Sequence, residues 1–345
     1  MKPLVLRSGT LHIMDVAAAA RSIAAVQLAD GAIPWFEGHK IDPWDHVEAA
    51  MGLAIGGYPD RARLAFEWLA RHQRDDGSWH AAYRNGAVED FTRDANLSAY
   101  IAVGLYHYYL ISGDLRFVGT LWPVVVSAID FVLSLQRPEG EIHWAISPEG
   151  QVDPMALLTG SSSIFMSLKC AVALADLLTR DSRRWREAMA RLGQAICHKP
   201  HVFNVTKSRF SMDWFYPILC GAVSGNRAGQ RIQRHWQKFV VEGQGVKCVA
   251  DQPWVTLAET AELVLALEAM GWRDLAETVF SWMGDKRFDD RTYWCGFTYP
   301  EKVVWPEEKH SWTNAAVMLA ADALYQLTPA GRLFNHRFWA EKGIP

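Results

Sequence analysis

Along almost the whole chain apolar residues return every three or four positions, and the strict alternation of a half-buried strand is nearly absent. The pattern predicts twelve helices, at 10–28, 44–56, 59–73, 93–112, 114–136, 158–179, 182–197, 211–223, 226–240, 256–270, 273–284 and 311–326. Short connections (57–58, 113, 180–181, 224–225, 271–272) alternate with long ones (29–43, 74–92, 137–157, 198–210, 241–255, 285–310). In a chain of antiparallel helices this alternation sends every long loop to one end of the molecule. Loops of that length in a compact domain are commonly functional.

The helices also sort in two. Those after long loops are small-residue-rich and apolar nearly all round, as in "ANLSAYIAVGLY" (95–106), "SSSIFMSLKCAVALA" (161–175) and "AAVMLAADAL" (315–324). Such helices belong inside a protein. Several that follow short loops carry a charged stripe, as in "DRARLAFEWLARHQ" (60–73) and "AGQRIQRHWQKF" (228–239), and read as outer helices. Helix 114–136 has few charges and holds Pro123, which points either to a break at Trp122-Pro123 or to a contact surface. Six inner helices ringed by six outer ones make an all-α (α/α)6 barrel, one toroid over residues 1–345. No Gly/Ser/Pro-rich linker divides it.

Three helix ends share a pattern: "QLADGAIPW" (27–35), "QRDDGSW" (73–79) and "QRPEGEIHW" (136–144). Glycine permits a left-handed helix terminus and the acidic residue suits a turn. The tryptophan is expected either to cap the helix end or to point into the mouth of the barrel.

Composition narrows the partners. Half the residues are hydrophobic and 21% are charged, enough for a large core, and the net charge of −3 with no basic stripe argues against nucleic acid. The 16 tryptophans stand out. Nine of them, Trp35, Trp44, Trp79, Trp144, Trp214, Trp254, Trp294, Trp305 and Trp312, fall on the proposed mouth face. Indole rings there suit the apolar face of a sugar or an isoprenoid. Five cysteines without CxxC spacing predict reduced thiols, a cytoplasmic setting and no zinc site. The N-terminal segment reads as neither a secretory signal nor a membrane span.

Polar residues gather where the inner helices begin: "DPWDHVEAA" (42–50), "EDFTRDAN" (89–96), "LTGSSS" (158–163), "SRFSMDWFY" (208–216), "ADQPWVTLAETAE" (250–262) and "VWPEEKHSWTN" (304–314). Asp45, Asp213 and Thr256 are also common helix caps. Glycoside hydrolysis needs two carboxyl groups, one protonated and one ionised, on either side of the scissile bond. The candidate catalytic carboxylates are Asp94, Glu307 as base, and Glu48 or Asp251 as acid. Candidate substrate contacts are Trp35, Trp44, Asp90, Arg93, Asp213, Trp214, Trp254, Glu259 and Trp312. His46 and His310 read as hydrogen-bonding spacers, "SSS" (161–163) as close helix packing, and "GAVSGNRAG" (221–229) lacks the strand a phosphate cradle needs.

The stretch 90–136, with "TRDA" entering an inner helix and then "GDLRFVGTLWPVVVSAIDFV", resembles the corresponding hairpin of glucoamylase-like and trehalase-like six-hairpin glycosidases. That resemblance implies a toroid acting on a carbohydrate with two carboxylates and no cofactor or metal. The glutamine–tryptophan helix ends also resemble those of squalene–hopene cyclases and protein prenyltransferases, but the Asp-x-Asp-Asp proton donor of the cyclases is missing. The expected function is glycoside hydrolysis. An isoprenoid-directed enzyme and a non-catalytic glycan- or lipid-binding toroid stand as the alternatives.

Overall fold

The computed structural model describes residues 16–344. Its helices are α1 (Val16–Val26), α2 (Pro43–Ile55), α3 (Pro59–His72), α4 (Ala95–Ala99), α5 (Ile101–Ser112), α6 (Leu115–Ser134), α7 (Leu158–Leu177), α8 (Arg183–His198), α9 (Ser211–Leu219), α10 (Gly225–Phe239), α11 (Leu257–Ala269), α12 (Arg273–Ser281), α13 (Ser311–Tyr325) and α14 (His336–Glu341). Helix α2 packs on α5, α5 on α7, α7 on α9, α9 on α11, α11 on α13, and α13 back on α2. That closes an inner ring of six, with α4 joined to α5 as one member. Helices α1, α3, α6, α8, α10 and α12 pack outside it. The fold is the all-α barrel that the periodicity predicts.

Small residues let the inner helices approach. A Cβ on Gly52 of α2 would lie 2.9 Å from the Ala315 Cβ of α13, and one on Gly104 of α5 would lie 2.4 Å from Val47 of α2. From Ser161 to Ala175 every residue of α7 is buried. Helices α6 and α7 are long and apolar enough to cross a bilayer by length and composition, and α7 owes this to its place in the ring.

The three glutamine–glycine pieces turn out to be one repeated staple between outer helices. The amides of Gln27, Gln73 and Gln136 donate to the carbonyls of Gly31, Gly77 and Gly140, and again to Arg61, Val124 and Ala188 on the next outer helix. The glycines have φ of +99°, +87° and +107°. A Cβ on them would sit 2.3, 2.0 and 2.3 Å from the carbonyl oxygens of Leu64, Ser127 and Arg191. Two residues further on, Ile33, Trp79 and Ile142 are each 1% exposed. Trp79 thus faces the core and donates its indole N–H to the Leu69 carbonyl at 2.9 Å, capping α3. The other two tryptophans, Trp35 and Trp144, stand four residues after their glycines and are free to face elsewhere.

Several expectations change. The predicted first helix begins at Val16 among the described residues, and positions 10–15 lie outside them. Helix α6 runs unbroken through Pro123. The predicted helix 93–112 starts as a strand and is interrupted at Tyr100. Helix α14, after the predicted last helix, covers the short-loop end: the His336 ring nitrogen meets the Ile218 carbonyl at 2.7 Å, and Trp339 is buried.

Short strands, unseen in the periodicity, tie the long loops together. They are β1 (Ala82–Arg84), β2 (Ala87–Asp90), β3 (Arg93–Asp94), β4 (Ala145–Ile146), β5 (Val152–Asp153), β6 (Val240–Val241), β7 (Gly245–Lys247), β8 (Trp254–Thr256) and β9 (Gly296–Thr298). Ile41 bridges Tyr83, β3 pairs with β4, and the Asn204 amide donates to Ala156. Phe210 bridges Val249, β8 pairs with β9, and the Ser311 amide donates to Trp35. Each long loop is therefore hydrogen-bonded to the next, and the last to the first. The alternation rule holds: all six lie on one rim.

Candidate active site

Three carboxylates step down the start of α2 at helical spacing. Asp42 is the N-cap; its carboxylate accepts from the Asp45 amide at 2.9 Å and from the Trp35 indole at 2.5 Å. Asp45 follows one turn later, surrounded by protein yet still partly open to solvent. Burial, the Asp42 charge, a hydrogen bond to Asp42 and the Glu48 charge together hold its carboxyl well above the usual range. Glu48, one turn deeper and 3% exposed, is raised to about 8, chiefly by burial, with Tyr100 O–H 3.5 Å away as an opposing donor. A carboxyl that stays protonated at neutral pH is a proton donor in waiting.

A second group stands on α11, with α13 between it and α2 in the ring. Glu259 is 7% exposed; it hydrogen-bonds the Cys248 thiol, and its Oε2 is buried without a partner among the described residues. Glu262, one turn on, accepts from the Tyr216 hydroxyl and is pushed well up by burial, then by Glu48 and Glu259. From the last rim loop Glu308 also presents a buried Oε2 without a partner among the described residues. Burial raises the Cys295 thiol to about 12, and the charges of Glu259, Glu308 and Asp45 push the same way, so all three converge around it. Below them Glu48, Glu262, Tyr100 and Tyr216 line a narrow space with room for about one water, closed beneath by Leu319 and Phe334.

Aromatic rings surround this acidic centre. Trp44 stacks on Tyr100 at 4.4 Å between centroids and reaches Ser163 Oγ at 3.4 Å. Trp35, His310 and Trp312 form a cluster with centroids 5.4 to 6.3 Å apart. The indole N–H groups of Trp144 and Trp312 are buried and lack a partner among the described residues. Burial lowers His310 to about 4 and His46 to about 4, so both rings are neutral; His46 spans the Ile33 amide and the Ala65 carbonyl. The spacer role expected of His46 matches this geometry.

The structure brings some predicted residues together and separates others. Glu48, Glu259, Trp35, Trp44 and Trp312 lie in or around the acidic centre. Asp94 is the N-cap of α4, accepting from the Asn96 and Leu97 amides at 2.7 and 3.0 Å; burial raises it to about 6 despite those donors, and it senses Asp42. Asp213 is buried and bound to the Thr159 hydroxyl and amide. Glu307, expected as base, is exposed and lines a cleft against α1 on the outer flank. Asp251, expected as a raised acid, is exposed and held by Arg209, whose hydrogen bond pulls its carboxyl down. Asp90 is exposed and caps the Thr92 amide, while Arg93 pairs with Asp76 at 2.8 Å. Trp214 is a core residue that stacks on Phe239 and donates to Arg231, and Trp254 donates to the Trp305 carbonyl. The sequence singles out neither Asp42 nor Glu262, offers Glu307 rather than its neighbour Glu308 as base, and offers Asp45 as a possible cap. The signal for the first group was the three-residue step 42–45–48, and for Glu262 the step 259–262.

Relatives decide what such a site belongs to. No family model matches the sequence. The MMP endo-(1,4)-3-O-methyl-alpha-D-mannosidase of Mycolicibacterium hassiacum is 51% identical over 316 residues, which are 92% of this chain and 88% of that protein. The chain belongs to that mannosidase's family, and it is a glycoside hydrolase. Solved structures share the fold at lower identity. A glycosidase variant in complex with glucose has TM-score 0.71 and 16% identity over 91% of this chain and 97% of its own. The GH63 mannosylglycerate hydrolase of Thermus thermophilus has TM-score 0.68 and 12% identity over 88% and 99%.

For a glycoside hydrolase, the division between α2 and α11 is the telling feature. On one side burial, and then Asp42, raise the Asp45 carboxyl well above the usual range. The other offers a carboxylate with an uncommitted oxygen. The isoprenoid and non-catalytic alternatives fall away with the family.

Proposed function

We propose that this hydrolase cleaves internal α-(1→4) bonds of a mannan bearing 3-O-methyl groups, with Asp45 as proton donor and Glu259 as the base that activates water. The observation that carries the assignment is the contrast between these carboxyls. Burial, Asp42 and Glu48 raise the Asp45 carboxyl well above the usual range, while Glu259, on a different inner helix, keeps a buried oxygen without a partner among the described residues. The Asp45 proton passes to the glycosidic oxygen as the bond to the anomeric carbon breaks. Glu259 takes a proton from a water that attacks that carbon from the opposite face. The two carboxyls stand on inner helices separated by α13, which supports an inverting reaction in which the water lies between base and sugar.

The substrate class comes from the relative's activity and fits the lining. A 3-O-methyl sugar has lost one hydroxyl donor and gained an apolar group, which suits walls of Trp35, Trp44 and Trp312. An endo-acting enzyme must let the polymer leave the site on both sides, and exposed Phe91 and Trp305 on the rim loops offer apolar footing there. The five cysteines, all free thiols, support a reducing, cytoplasmic setting. Incubation with α-(1→4)-linked 3-O-methylmannose oligosaccharides, followed by mass spectrometry, tests the reading. Shorter methylated oligosaccharides are expected; release of single sugars only, or no cleavage, refutes it.

A further inference from the structure

At the opposite end of the barrel lies a cleft of about 710 Å³, bounded by α7, α8, the turn after α9, and α14. It is of the size that takes a small ligand. Its most unusual wall residue is Lys169 on α7, which is 1% exposed. No hydrogen bond or ion pair holds the Lys169 ammonium among the described residues. The rings of Trp339 and Phe165 lie beside it, with Nζ 5.0 and 5.5 Å from their centroids. A buried ammonium is costly unless something pairs with it.

The surroundings are made for that charge to face the cleft. Gly221 lies so close that a Cβ there would come within 2.8 Å of Nζ. Arg337 and His336 of α14 join the wall, as do the Gln194 amide and the Ser224 hydroxyl, neither of which has a side-chain hydrogen bond among the described residues. No aspartate or glutamate lines the cleft. The nearest acid on α14 is Glu341, which binds Arg337 Nε at 3.0 Å and leaves the other guanidinium nitrogens free. The His336 ring is committed to the Ile218 carbonyl, and burial lowers it, so it adds no charge. Cys197 donates its thiol to the Ala222 carbonyl.

We propose that this cleft is a second ligand site that binds a small oxyanion, a carboxylate or phosphate group, on the Lys169 ammonium, with Arg337, Gln194 and Ser224 around it. A bound anion supplies the counter-charge that the protein itself withholds. Burial lowers Lys169 to about 8, in keeping with an ammonium that lacks a partner in the unliganded chain.

The test is titration calorimetry at low ionic strength with two probes, inorganic phosphate and malonate, so that the phosphate and carboxylate arms are read separately. The unsubstituted protein is compared with Lys169→Met and Arg337→Ala. One equivalent of at least one anion is expected to bind, with affinity falling at least about tenfold in Lys169→Met and measurably in Arg337→Ala. Arg337 is surface-exposed, so its variant decides the matter if replacement of the buried lysine impairs folding. Absence of saturable binding of either anion, or undiminished binding by these variants, overturns the proposal.

Discussion

Asp42 does three things at once. It caps α2 through the Asp45 amide, takes the Trp35 indole N–H, and leaves its charge beside the Asp45 carboxyl. The third is functional: a general acid must be protonated, so activity falls as pH rises through its pKa. Asparagine keeps the cap on its single carbonyl oxygen and removes the charge, while its NH2 replaces the oxygen that accepts the Trp35 N–H. In Asp42→Asn the alkaline limb of the pH profile is therefore expected to move to lower pH, by on the order of one unit. An unmoved limb in kcat/KM would show that Asp45 owes its proton to something else. At this scale the sequence is hardest to read. Glu307 and Glu308 are adjacent in a loop with no periodicity, and only the fold turns Glu308 inward and Glu307 out. Asp251 sits at the right end of the molecule, but Arg209, distant in the chain, claims it.

Between elements, the glutamine–glycine staples decide how closely outer helices run. Gly77 is wedged against the Ser127 carbonyl, while Gly86 has a similar positive φ, +76°, and open space around it. Gly86→Ala should lose only the backbone preference, about 1–2 kcal/mol. Gly77→Ala must lose that and also push α6 from α3. It is expected to melt well below Gly86→Ala in thermal denaturation; equal melting would mean the helices are not held at that glycine. Helices were legible because their periodicity is local, and the loop alternation was legible because lengths count themselves. The rim strands were not, because two- and three-residue pairings such as β3 with β4 leave no pattern to see. Nor was the continuity of α6 past Pro123, whereas for Trp79 the sequence left capping and the mouth open and the structure shows capping. The Trp79 ring stands where Ile33 and Ile142 stand in the sister turns, an equivalence set by distance from the glycine and not by residue type.

At the scale of the molecule, the closed inner ring and the stitched rim bring together residues from opposite parts of the chain. Asp45 enters with the first rim loop and Glu259 after the fifth, and the proposed mechanism needs both. Groups that act as one unit show non-additive losses. The direct measurement is turnover of the methylated mannan by Asp45→Asn, Glu259→Gln and the double variant, each verified as folded by circular dichroism. Each single change is expected to lower kcat by about 10²–10⁴, with the double variant little worse than the poorer single. Near-normal turnover in either single variant, or losses that simply multiply, would contradict the account.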